Sequence, residues 1–261
     1  MATLGIDENR FLIKKASTEK ITGKWEEVVN EMIKVCKENL GDHLISVYVG
    51  GSVAHGEAVD VKSDIDLYAI TDLNDEKIKE AQNSWVNTEM DRLNKLYPFQ
   101  RGAEINLFFI DKLPEGKKLQ MKVFATRVWG KDFDQELPPI RLDKETCGRV
   151  RLSMKRDIDI AREKLETASD VKEIKKIGFE IAKRLIRSAG MMCMWRVDFY
   201  TMETDKLVDM FISFYPEKEK EMRDLYEFEK NPPSDKKKIL DMFDSFGNWL
   251  MEEDRRVFNS L

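Results

Sequence analysis

Histidine and cysteine are the scarcest chemistry-bearing residues of this 261-residue chain, with two of the first and three of the second. Cys36, Cys147 and Cys193 are scattered, form no C-x-x-C pair and have only His43 and His55 for company, which argues against a zinc site. An odd set of distant thiols reads as reduced, mostly buried cysteines in a cytoplasmic protein. No apolar run approaches the roughly 20 residues that a membrane helix needs. No basic segment leading into an apolar one marks a signal peptide at the start. A basic surplus is missing too: 44 Lys and Arg face 49 Asp and Glu, for a formal net charge of -5. General nucleic-acid binders normally carry an excess of base to meet phosphates. The balance therefore speaks against a nucleic-acid partner and is compatible with a cationic or neutral small molecule. The G-x-x-x-x-G-K-[ST] phosphate loop is also absent.

Apolar residues are present at 42%, ample for a core in one large domain or two modest ones. Phe11, Leu12 and Ile13 suggest a short N-terminal element. From Thr22 to Leu40, Trp25, Val28, Val29, Met32, Ile33 and Cys36 recur at helical steps and form one apolar face. Leu44–Val49 and Ile65–Ile70 read as strands, the first stopped by Gly50-Gly51. Asp75–Leu96 reads as a helix. Ile105–Ile110 reads as a third strand, with Leu107, Phe108, Phe109 and Ile110 suggesting burial on both faces. A helix over Leu119–Arg127 then leads into Val128-Trp129-Gly130, a plausible edge strand and turn. After Pro138-Pro139 the chain is nearly all helix-forming, with helices expected over Lys144–Thr167, Val171–Val197, Lys206–Tyr215, Glu217–Glu229 and Ser234–Phe258. The expected architecture is an α/β (α+β) domain over 1–138, with a small mixed sheet, followed by an all-helical bundle over 139–261.

The chemistry concentrates between Ser46 and Ile70. A strand runs into Gly50-Gly51-Ser52, and a loop then leads to Ser63-Asp64-Ile65-Asp66-Leu67. Strand side chains alternate faces, so Asp64 and Asp66 point one way while Ile65 and Leu67 point into the core. Two neighbouring carboxylates repel unless a cation sits between them. Mg²⁺ is typically held by one or two carboxylates plus substrate phosphates, so the pair reads as a magnesium cradle. Gly51 lets the backbone turn sharply and approach a ligand. A helix starting at Ser52-Val53 would offer free N–H groups to a phosphate, with the Ser52 hydroxyl as one more donor. Glu104, which precedes the third core strand, joins the same metals if its strand lies beside that of Asp64 and Asp66; it would hold a second metal or accept a proton.

Gly51-Ser52, the Ser63–Leu67 box and Glu104 together resemble the DNA polymerase β-type nucleotidyltransferase superfamily over roughly residues 44–110. The resemblance implies that Gly51, Ser52 and Ser63 meet the triphosphate. It implies that Asp64 and Asp66 bind two Mg²⁺ ions, with Glu104 as ligand or general base. The implied reaction is in-line attack of an acceptor hydroxyl on the α-phosphate of a nucleoside triphosphate, with pyrophosphate leaving. The all-helical half, including Arg196 and Tyr200–Thr204, is loosely similar to the helical domain of aminoglycoside adenylyltransferases. That likeness implies AMP transfer from ATP to a hydroxyl of a small molecule such as an aminoglycoside, and hence antibiotic resistance. A protein acceptor, as in antitoxin-type AMP transferases, and an inactive nucleotidyltransferase fold serving as an interaction protein remain open alternatives.

Other residues carry two readings each. Lys183 and Arg187, four apart on one helix face, either reach a triphosphate or belong to a solvated basic stripe with Arg184. His55 is either a phosphate contact or an exposed loop histidine. Asp157, Asp159 and Glu163 either receive a cationic substrate or line an exposed charged face. The Met191–Trp195 run reads as core packing.

Overall fold

β-branched and aromatic residues, bounded by glycine or acidic turns, build the sheet of this computed structural model, which describes residues 5–151 and 153–258. The strands are β1 (Leu44–Gly50), β2 (Ile65–Thr71), β3 (Ala103–Phe109) and β4 (Ala125–Gly130). Their order is β3-β2-β1-β4, with β1 antiparallel to both β2 and β4 and β2 parallel to β3. The described residues divide into two compact units. One is Leu12–Ile140; the other combines the residues up to Phe11 with those from Arg141 onward.

In the sheet unit, α1 (Lys24–Leu40) precedes β1, and the short α2 (Gly51–His55) follows it directly. The parallel β2–β3 pair needs a crossover. It is supplied by α3 (Asp75–Ala81), a π-helical turn at Gln82–Val86 and α4 (Asn87–Leu96). One face of the sheet is fully buried: Val47, Val49, Ile65, Leu67, Ala103 and Ile105 pack with Val28, Met32, Val86 and Leu93 of the helices. The opposite face carries Tyr48, Tyr68, Ile70 and the partly buried Phe108, covered by Met121 and Phe133. A short α5 (Glu115–Leu119) and a π-helical turn at Gln120–Phe124 run over that second face into β4.

Two local expectations change here. The helix expected over Leu119–Arg127 starts earlier, at Glu115, and gives way to strand at Ala125, because pairing with β1 outweighs local helix propensity. β3 is an edge strand and is not buried on both faces: Ala103, Ile105 and Leu107 are buried, while Glu104 is exposed and Asn106, Phe108 and Phe109 are half-buried.

The helical unit contains α6 (Lys144–Val150), α7 (Met154–Thr167), α8 (Val171–Met194), α9 (Thr204–Phe214), α10 (Glu219–Lys230), α11 (Lys236–Met242) and α12 (Asn248–Phe258). The single helix expected over Lys144–Thr167 is interrupted at Arg151, whose backbone is extended, and α7 restarts behind Ser153 as N-cap. The helix expected over Ser234–Phe258 contains a π-helical turn at Phe243–Gly247. Central α8 buries Leu185, Ile186, Met192 and Met194, so the methionine-rich run is core. Gly190 lets α9 approach closely: a Cβ there would lie 2.5 Å from Leu207 Cδ2.

The first described residues belong to this unit through Arg10. Its guanidinium donates to the carbonyls of Leu142, Trp195 and Val197 and pairs with Asp198, and Phe11 bridges Arg141. The sequence pattern grouped this segment with the sheet, because the Arg10 contacts are remote along the chain. All three cysteines are buried and unpaired, and burial pushes each thiol up to about 12. No helix among the described residues is long and apolar enough to cross a membrane.

Candidate functional site

Asp66 stands directly opposite Glu104 in the parallel β2–β3 register and opposite Gly50 in the β1–β2 register. One row across the end of the sheet therefore reads Glu104, Asp66, Gly50, and then Ala125 of β4. Strand alternation gives Asp64 the same face as Asp66, and Ile65 and Leu67, fully buried, secure the register from the other side. A one-residue slip would put both carboxylates into the apolar core.

Beyond Gly50 the chain turns at Gly51, which sits at φ +67, a region open to glycine. A Cβ on Gly51 would lie 3.4 Å from Asp66 Oδ2, so the turn passes right beside the carboxylate. Ser52 follows, half-buried, and its hydroxyl has no partner among the described residues. Ser63 behaves differently. Its hydroxyl accepts the Val59 N–H at 2.9 Å, which ties down the loop between the two motif halves. That loop holds Val61 at φ +64, a left-handed conformation costly for a β-branched side chain.

Burial, then the charges of Asp64 and Glu104, push the Asp66 carboxyl up to about 6. Two cations oppose them, neither anticipated from the sequence. Arg101 pairs with Asp64. Lys117 of α5 lies 4.2 Å from the Tyr68 ring centroid and 4.9 Å from that of Phe108, and donates to Gln120 Oε1 at 2.7 Å. Burial lowers the Lys117 ammonium, while Asp66 and Glu104 pull it back up. For Arg101 a signal exists in the strand register, since Ile65 aligned with Ala103 brings the Gln100–Gly102 turn beside Asp64. Lys117 has no such local signal; it arrives through a turn of chain packed over the sheet.

The donor set suits magnesium in kind, being three carboxylates with no nitrogen or sulfur, and their mutual repulsion at Asp66 is the state a divalent cation relieves. Among the described residues, however, no three ligating side chains stand gathered as a ready metal cluster. The Arg101 guanidinium pairs with Asp64, one of the two carboxylates read as a magnesium cradle.

Most of the remaining sequence candidates belong to the helical unit. Lys183 and Arg187 belong to α8 of the helical unit, where Lys183 Nζ lies 5.7 Å from the Phe179 ring centroid. Arg196 stacks on Trp195 and Phe214, at 4.9 Å and 5.2 Å. Asp157 is buried and accepts from Arg184 at 3.2 Å, whereas Asp159 pairs with Lys155 at 2.6 Å. His55 ends α2 half-buried; burial holds its imidazole below the ordinary range, and its Nε2 has no partner among the described residues.

No protein-family model matches the chain, and no curated protein matches it. Among solved structures the chain is similar to a spectinomycin adenyltransferase from Enterococcus faecialis, solved with ATP and spectinomycin. The TM-score is 0.35 and the identity 12%, over 72% of this chain and 89% of that one.

Proposed function

We propose that this protein is a metal-dependent nucleotidyltransferase that moves a nucleoside monophosphate, AMP from ATP, to a hydroxyl of a small molecule. The supporting observation is the register that aligns Asp66 with Glu104 and Gly50, leaving Asp64 on the same face and the Gly51-Ser52 turn beside the carboxylate. Three acidic side chains next to a glycine turn with an unpartnered serine hydroxyl suit a substrate that carries phosphates and needs charge neutralised.

In this reading Ser52 and the backbone around Gly51 bind the β- and γ-phosphates, and Lys117 adds positive charge from the far side of Asp66. Asp64 and Asp66 would hold Mg²⁺, with Glu104 as a third ligand or as the base. Bound magnesium supplies charge neutralisation at the α-phosphate and the leaving group. The acceptor hydroxyl attacks the α-phosphorus as its proton passes to Glu104, and the bond from that phosphorus to the bridging oxygen breaks, so pyrophosphate departs. Positioning and electrostatics account for most of such catalysis. Lys183 and Arg187 are proposed as further triphosphate contacts, and an aminoglycoside as acceptor follows from the family resemblance alone.

The test is incubation of the full chain with labelled ATP, Mg²⁺ and a panel of aminoglycosides, with mass spectrometry of drug and protein. An AMP adduct and pyrophosphate release, both lost in Asp64→Ala and Asp66→Ala, are expected. An adduct on protein alone would move the acceptor to a polypeptide. No adduct with any nucleotide would favour an inactive fold used for interaction.

A further inference from the structure

Three carboxylates on one face create a demand for positive charge that this chain meets with two side chains of very different character. Lys117 is walled in by the Tyr68 and Phe108 rings and bonded to Gln120, so it is a fixed part of the site. Arg101 is exposed: its side chain retains 45% of its accessible surface, and that of Asp64 retains 30%. The backbone parks Arg101 there, because its N–H donates to Ser63 O at 2.8 Å and Ile65 N–H donates to Gly102 O at 2.9 Å. These bonds hold the turn whatever the guanidinium does. The pair with Asp64 is thus anchored through the main chain but open to solvent at the charged end, where ion pairs are weak and easily exchanged.

We propose that Arg101 is a displaceable internal counter-cation, holding Asp64 while no divalent cation is bound and releasing it when one binds. The proposal rests on the metal-dependent reading of the same site. It gives the Arg101–Asp64 pair a role in the site. It also assigns the two cations separate roles. Lys117 neutralises Asp66 and Glu104 throughout, whereas Arg101 competes with the metal for Asp64. Once released, an arginine anchored at the Gln100–Gly102 turn is free to meet an anionic part of the substrate, a task its planar fork suits.

The experiment measures Mn²⁺ binding to the full chain without nucleotide, by electron paramagnetic resonance of the free ion and by the Mn²⁺-induced rise in melting temperature. Arg101→Ala is expected to bind Mn²⁺ roughly three- to fivefold more tightly than the unaltered chain at low ionic strength, the range a weak exposed pair supports. Added salt should narrow the difference, because it screens the competing pair. Arg101→Gln, which keeps a polar side chain and part of the aliphatic stem without the charge, should behave alike and guards against a local folding defect. Equal or weaker binding by both variants overturns the proposal and makes Arg101 a residue that orients Asp64 toward the metal. If neither variant nor the unaltered chain binds Mn²⁺, the metal-dependent reading itself fails and takes this inference with it. Tight binding by the unaltered chain without a gain in the variants defeats this inference alone.

Discussion

Replacing Asp66 by Asn should make the metal-free protein more stable while abolishing transfer. Asp66 has its carboxyl pushed from 3.8 to about 6, mostly by burial and then by Asp64 and Glu104. Its folded-state value lies above its unfolded one, so the folded state binds the proton more tightly. Stability from this group is therefore highest in acid and declines as pH rises from about 4 to about 6. Above that window the full cost is present. Two pH units correspond to about 3 kcal/mol, a figure that already includes the attraction of Lys117 and Arg101; it is an upper bound for Asp66→Asn, because an amide replaces the protonated carboxyl only imperfectly. A net gain of about 1–2 kcal/mol is expected near pH 7.5, or roughly 3–6 °C in melting temperature for a domain of this size. Thermal melts in EDTA at pH 5, 6 and 7.5 measure it. The gap between Asp66→Asn and the unaltered protein should open as pH rises and close again when Mg²⁺ is added to the latter. A variant that melts at or below the unaltered protein at pH 7.5 refutes the reasoning, since the carboxylate would then be net stabilising through its cationic neighbours.

Further expectations can be checked with similar equipment. Lys117→Met should raise the Asp66 carboxyl further, moving the acidic limb of a pH–activity profile toward higher pH and lowering kcat/KM by about tenfold or more. Gly51→Ala places a Cβ at positive φ beside Asp66 Oδ2. It should cost about 1–2 kcal/mol in a urea titration and impair transfer more than its stability loss explains. Val61→Gly relieves a left-handed β-branched residue that is 72% exposed. Its melting temperature should hold or rise by a few degrees, strain relief of about 1–2 kcal/mol exceeding the added chain entropy of glycine. Gly190→Ala drives a Cβ to 2.5 Å from Leu207 Cδ2 and should destabilise the helical unit by about 1–3 kcal/mol, with Mn²⁺ binding intact.

How far the sequence could be read depended on the range of the interaction. Asp64, Asp66 and the Gly51-Ser52 turn were legible because alternation and turn chemistry are local, and buried Ile65 and Leu67 permit only one register. Glu104 was legible only on the condition that its strand lay beside that of Asp64 and Asp66, and the parallel β2–β3 register meets it. The place of β4 beside β1 is not written in any local pattern; helix-forming residues around Gln120–Phe124 masked the strand that follows them. The break before Ser153 has no proline to announce it, only Gly148 in the last turn of α6 and the N-cap serine. Arg101 and Lys117 escaped notice because a charge that neutralises carboxylates through space needs no fixed spacing along the chain.

The path of the backbone between the two units has its own consequence. The segment Leu12–Ile140 is continuous and its ends meet, with Leu12 N–H donating to Ile140 O at 2.8 Å. On the other side of the crossing, Phe11 bridges Arg141, and Leu142 N–H donates to Arg10 O at 2.7 Å. In genetic terms the sheet unit is an insert spliced into a helical host at one point. The helical host could accordingly be closed by a short linker from residue 11 to residue 141, and the insert expressed from its own adjoining ends, without cutting a strand or a helix of either.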